Sequence, residues 1–121
     1  MTKKLILSIL VLVFCTINSS AANHTYKIED LYAKKVELKN KIITIKGTIT
    51  KISRSIMGKD WIHVQDDSKS KDKNQVLFTT TENSKVNVGD KVTAQGVLKA
   101  DVDLGSGYFY PVLVEKSTFT K

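Results

Sequence analysis

Between residues 41 and 52 the sequence takes on a period of two. Ile43, Ile45, Gly47 and Ile49 point one way and Thr44, Lys46, Thr48 and Thr50 the other. That alternation is incompatible with a helix and describes a strand with one face in a core. Gly47 weakens a flat strand, so a glycine there predicts a bend where the sheet coils. The rest of the chain follows the same rule in shorter pieces. Residues 61–65 alternate with Ile62 and Val64 inward and Trp61, His63 and Gln65 outward. Residues 75–80 form a third β-branched and aromatic run, and either Val76 and Phe78 or Leu77 faces the core. Val88-Gly89-Asp90 is a turn that launches a fourth strand over 91–99, with Val92, Ala94, Gly96 and Leu98 on one face. A fifth is expected over 110–116, with Pro111 tolerated near its start.

The intervals between these runs are polar. Residues 53–59, 66–74 and 100–107 read as loops, and 82–87 leave room for a single helical turn at most. Ahead of the strands, Ile28, Leu31 and Tyr32 stand at i, i+3 and i+4, with Glu29 and Asp30 early and Lys34 and Lys35 late. This spacing predicts a short helix over 28–35 that docks by its apolar stripe. Five strands, the first long and glycine-bent, fit an all-β fold: a five-stranded Greek-key OB-type barrel with a short amino-terminal helix.

The amino terminus reads as an export signal. Lys3 and Lys4 precede an apolar stretch over 5–15 in which only Ser8 is polar. Such a stretch is too short to cross roughly 30 Å of hydrocarbon permanently. Asn18-Ser19-Ser20-Ala21-Ala22 then offers small side chains to a signal peptidase, with cleavage expected after Ala21. Cys15 follows Phe14 rather than a small residue, which argues against a lipid acceptor. The expected organisation is therefore 1–21 signal peptide and 22–121 one domain, in the periplasm, with no membrane span after cleavage. Without its signal the chain carries no cysteine, so neither a disulfide nor a thiolate metal site is available to it. It keeps 17 basic residues against 12 acidic ones, a formal +5, which suits a polyanionic or acidic partner.

Several segments together resemble a family of small exported bacterial OB-fold proteins. They are Ile45-Lys46-Gly47-Thr48-Ile49, the run from Ile56-Met57-Gly58-Lys59-Asp60 through Trp61-Ile62-His63-Val64-Gln65-Asp66, Val88-Gly89-Asp90-Lys91-Val92, and Gly105-Ser106-Gly107-Tyr108-Phe109-Tyr110-Pro111-Val112. The likeness spans about residues 28–117. It implies a nucleic-acid-binding label assigned by fold, and some members of that family accompany periplasmic respiratory nitrite reductase as accessory proteins. One departure is Asp66-Asp67-Ser68 and the lysine-rich loop after it, where the family tends to have an Asp-Gly turn.

No catalytic grouping is visible: there is no nucleophile elbow, no phosphate-cradling glycine loop with lysine, and no paired histidine spacing. The chain is expected not to be an enzyme and to need no cofactor or metal. Asp66/Asp67 and Asp101/Asp103 read as turn chemistry. In OB folds the second and third strands and two hairpin loops make the ligand face. The candidate ligand-binding residues are therefore Arg54, Met57, Lys59, Trp61, His63, Gln65, Phe78, Tyr108 and Phe109. Three occupants of that face are weighed, nucleic acid first by the family resemblance. Single-stranded nucleic acid would stack on Trp61 and meet phosphates through Arg54 and Lys59. A periplasmic protein partner would use the same aromatics as a hot spot. Cu(I) is a minor third, resting on Met57, Trp61 and His63, although Met57 is a lone thioether. The protein is expected to be a monomer, and His24 to lie in a disordered terminus.

Overall fold

A computed structural model describes residues 24–82 and 84–121. The expected signal peptide lies outside the described residues. The first element is one that the sequence reading lacks: β1 (Thr25–Tyr26) runs parallel to the long strand β2 (Ile42–Ile56), with Thr25 beside Thr44 and Tyr26 beside Ile45.

The expected helix over 28–35 is two pieces, α1 (Ile28–Ala33) and α2 (Lys35–Leu38), broken at Lys34. Ile28, Leu31 and Leu38 are buried, while Tyr32 is half-buried and donates its hydroxyl to the Gln75 carbonyl at 2.8 Å. Lys27, the N-cap residue, supplies no side-chain acceptor to the helix start. The loop over 66–74 does so instead. Asp66 Oδ2 accepts from the Ile28 amide at 2.7 Å and Ser68 Oγ from the Glu29 amide at 3.1 Å. The Asp66-Asp67-Ser68 stretch is thus a helix cap supplied from about forty residues away in sequence, and it satisfies donors a helix start leaves unpaired.

The remaining strands are β3 (Lys59–Gln65), β4 (Gln75–Thr80), β5 (Lys91–Asp103) and β6 (Phe109–Thr120). Strand β2 serves two partners. Its first half pairs with β5, from Ile42 beside Val97 to Thr48 beside Lys91, and its second half with β3, from Thr48 beside Gln65 to Ile56 beside Lys59. At the crossover stands Gly47. A Cβ there would sit 2.6 Å from the Gln65 carbonyl oxygen and 2.7 Å from Val64 Cγ1, so only glycine admits the bend. Gly96 meets the same limit on β5, where a Cβ would fall 2.6 Å from Val114 Cγ1.

The structure corrects the predicted boundaries in one direction: the strands are longer and the loops shorter. The expected loop over 53–59 is strand except for a two-residue turn at Met57 and Gly58, both at positive φ, 53° and 74°. Register shifts between Ile49 and Lys51 and between Ser53 and Ile56 put β2 out of its period-two phase, which hides its end from a pattern search. Strand β5 likewise runs on through Asp101, at φ 53°, to Asp103.

The sheet is mostly antiparallel, in the order β1-β2-β3-β4-β6-β5, and β5 returns to β2. The contact between β4 and β6 is parallel and only two residues long, Leu77 beside Leu113 and Phe78 beside Val114, so the ring closes in part. Ile43, Ile45, Ile49, Ile62, Val64, Val76, Phe78, Val92, Ala94, Leu98, Val112 and Val114 fill its interior, and Ile28, Leu31 and Leu38 belong to the same core. The open question on the third predicted strand is thereby answered: Val76 and Phe78 face the core and Leu77 the other side.

Candidate functional site

Outside the ring lies a second, smaller apolar cluster of Trp61, Leu77 and Leu113, flanked by Val102 and Tyr110. It exists because β3, β4 and β6 carry apolar residues on both faces, whereas a half-solvated sheet would carry polar ones outside. Cross-strand neighbours extend it as a row: Lys51 beside His63, His63 beside Leu77, Leu77 beside Leu113, and Leu113 beside Lys99. A lysine ends the row on each side. Lys99 is engaged, donating to Asn40 Oδ1 at 3.0 Å.

Over this cluster runs a groove of about 500 Å³, floored by Trp61, His63 and Leu77 and walled by Ile56 and Met57 on one side and Leu104, Tyr108 and Tyr110 on the other. One wall is the tip of the β2–β3 hairpin. The other is the β5–β6 hairpin loop, in which Gly105, Ser106 and Gly107 all adopt positive φ. That loop is held shut by Leu104 N–H to the Tyr108 carbonyl at 2.8 Å, Tyr108 N–H to the Gly105 carbonyl at 3.0 Å, and Gly105 N–H to Asp103 Oδ1 at 2.8 Å. The large exposed apolar side chains gather at these two walls, Ile56, Met57, Leu104 and Tyr108 on them and Phe109 beside them, with only Val36, Ile42 and Val88 elsewhere among the described residues.

Trp61 points outward as its alternation requires, yet it is 8% exposed. Its Nε1–H donates to the Ile56 carbonyl at 2.8 Å, which fixes the indole as the floor of the groove and braces the hairpin tip. A free stacking platform it is not. Tyr108, 62% exposed, is the aromatic ring open to a ligand. His63 is partly desolvated, and that burial first, and the nearby Lys51 charge second, hold its pKa below the usual histidine value.

Of the nine expected site residues, Met57, Trp61, His63 and Tyr108 line this groove. Phe78 is corrected outright: it is fully buried in the main core, packed edge-on against Phe119 at 5.7 Å between ring centroids. Arg54 is not offered to phosphates. Its guanidinium pairs with Asp60 at 2.8 Å and donates to the Ser84 and Val86 carbonyls at 3.3 and 2.9 Å, tying β2 to the segment that precedes β5. Lys59 lies beside Ser55, Asp60 and Thr80, away from the groove. Gln65 belongs to a wider, lysine- and threonine-lined depression along β2 with Lys46, Thr48, Lys91 and Lys121. Phe109 is 54% exposed next to Tyr108 but does not line the groove.

No family model matches this chain, and no curated protein matches it. Ile56, Leu77, Leu104, Tyr110 and Lys51 also line the groove without having been expected there: Ile56 and Leu104 fall in segments read as loops, the facing of Leu77 was open, and Lys51 and Tyr110 stand on predicted strands with no role assigned. The signal that points to them is apolar character on both sides of the alternation in β4 and at the two hairpin ends. Among the described residues no three His, Cys, Asp or Glu side chains come together to hold a metal ion, and no helix is long and apolar enough to cross a membrane.

Proposed function

We propose that this chain is a non-enzymatic, monomeric binding module of the OB type, exported by cleavage after Ala21, whose groove docks an apolar segment of a periplasmic protein partner. Two features support the OB reading. Leaving β1 aside, the strands follow the order first, second, third, fifth, fourth and back to first, with a parallel contact between third and fifth. The groove also lies where such barrels take their ligands, on the second and third strands between the first and last hairpin loops.

The observation that carries the choice of partner is the composition of the groove. Exposed Ile56, Met57, Leu104 and Tyr108 surround a desolvated aromatic floor, and Lys51 is the one formal positive charge among the lining residues. An apolar centre with few charges is the anatomy of a protein hot spot. An accessory role towards a respiratory enzyme, as the family resemblance implies, is consistent with it. Single-stranded nucleic acid is the second reading, favoured by the open ring of Tyr108 beside Lys51.

The mature protein, immobilised and exposed to periplasmic extract, is expected to retain one partner at both low and high salt. Tyr108→Ala, folded by circular dichroism, is expected to lose it, since removing a hot-spot aromatic costs about 2 kcal/mol or more. The alternative result is quenching of Trp61 by single-stranded oligonucleotide that weakens steeply with salt. Phosphate contacts would then dominate, and the nucleic-acid reading would replace this one.

A further inference from the structure

The groove over the Trp61 cluster carries charge of one sign only. Lys51 and His63 are cross-strand neighbours on β2 and β3, and among the described residues no aspartate or glutamate lines the groove with them. Lys51 is exposed and has no ion-pair partner among the described residues. The carboxylates of the strands that build the groove are committed or placed elsewhere. Asp60 pairs with Arg54 and accepts from the Ser55 amide at 3.1 Å, Asp101 pairs with Lys35 at 2.6 Å, Asp103 accepts from the Gly105 amide, and Glu115 stands beside Val97 outside the groove. Lys99, at the other end of the cross-strand row, is taken by Asn40. Lys51 is therefore a cation on an apolar bed to which the domain brings no counter-charge.

We propose, resting on the groove reading above, that the protein segment docked here carries a carboxylate, from an aspartate, a glutamate or its own carboxy terminus, seated against Lys51 with apolar side chains beside it on the Trp61 and Leu77 floor. The two parts of such a ligand do different work. The apolar bed supplies affinity that salt hardly touches, and the single ion pair decides which segment fits and in which direction it lies. A lysine or arginine at that position is rejected, because it would meet Lys51 and no groove carboxylate. His63 adds a second, conditional charge. Around it in the groove are Lys51 from β2, the uncharged Leu77 from β4, and the Tyr108 and Tyr110 rings from the β5–β6 hairpin. None of these favours a protonated imidazole, and in the free groove burial and Lys51 favour the neutral ring. A bound carboxylate reverses that balance and draws a proton onto His63. Docking is then expected to tighten as pH falls from about 7 to about 5.

The test begins with two dyes, anilinonaphthalene sulfonate and its uncharged parent anilinonaphthalene, which share one apolar body and differ by an anionic group that stands in for the carboxylate. Energy transfer from Trp61, the only tryptophan of the chain, reports either dye at the groove floor. Lys51→Gln is expected to weaken the sulfonate about threefold and leave the neutral dye unchanged, with Lys51→Glu weakening it further. Acidification should tighten the sulfonate alone, and His63→Gln should remove that effect. If Lys51→Gln acts on both dyes alike, or if acid strengthens the sulfonate equally in His63→Gln, the charge assignment is overturned. The partner retained from extract then separates this proposal from the reading beneath it. A partner lost in Tyr108→Ala but kept in Lys51→Glu overturns the carboxylate while the groove stands, and a partner kept in both overturns the groove itself. Selective dye binding with no retained partner would make a small amphiphilic anion the occupant and overturn the protein segment.

Discussion

His63 shows how one side chain can link the groove to solution conditions. Its folded pKa is held below 6.5 by burial and by Lys51, while in the unfolded chain it protonates at the ordinary value. As pH falls through that value the unfolded state therefore binds more protons, and stability drops until the folded group protonates too. Between about pH 7 and pH 5 the urea midpoint of the wild type is expected to fall further than that of His63→Gln. Equal slopes would show that His63 is solvated in solution. The same lesson holds for Trp61: alternation correctly aims it outward, yet outward here means against Leu77 and Leu113, not into water.

At the scale of elements, the β2–β3 hairpin decides the shape of the groove. Its two-residue turn places Met57 and Gly58 both at positive φ, the pattern that favours Asn-Gly. Gly58→Ala is expected to cost about 1 kcal/mol, because a Cβ there is strained even though open space surrounds it. Met57→Asn is expected to stabilise by some tenths of a kcal/mol, and chemical denaturation of the two variants checks both signs. If Gly58→Ala leaves the midpoint unchanged, the turn is not of this type. The sequence contains the glycine but conceals the turn, since Ser55, also at positive φ, and the two register shifts erase the alternation that would have extended the strand to Ile56. Arg54 was misassigned for the same reason. In a loop it would be free, whereas on β2 it is bound to Asp60 and to the Ser84 and Val86 carbonyls.

For the whole molecule, stability rests on packing in a ring whose β4–β6 contact is only two residues long. The inner core and the outer Trp61 cluster share β3, β4 and β6, so they are expected to melt together. Trp61 fluorescence and far-ultraviolet circular dichroism should follow one coincident transition; separated midpoints would mean that the outer cluster opens first. Local periodicity and glycine were enough for five β segments, the inward sets of residues 43–49, 61–65 and 91–99, the bend at Gly47, a short helix at Ile28, and Met57, Trp61, His63 and Tyr108 as residues of one face. The remainder came from contacts between distant segments. Pairing at a distance lengthened the strands past their bulges, added β1, buried both faces of β4, and capped α1 with Asp66 and Ser68 from across the fold. Those outcomes depend on which neighbour each backbone and side chain meets. Local pattern carries no record of that.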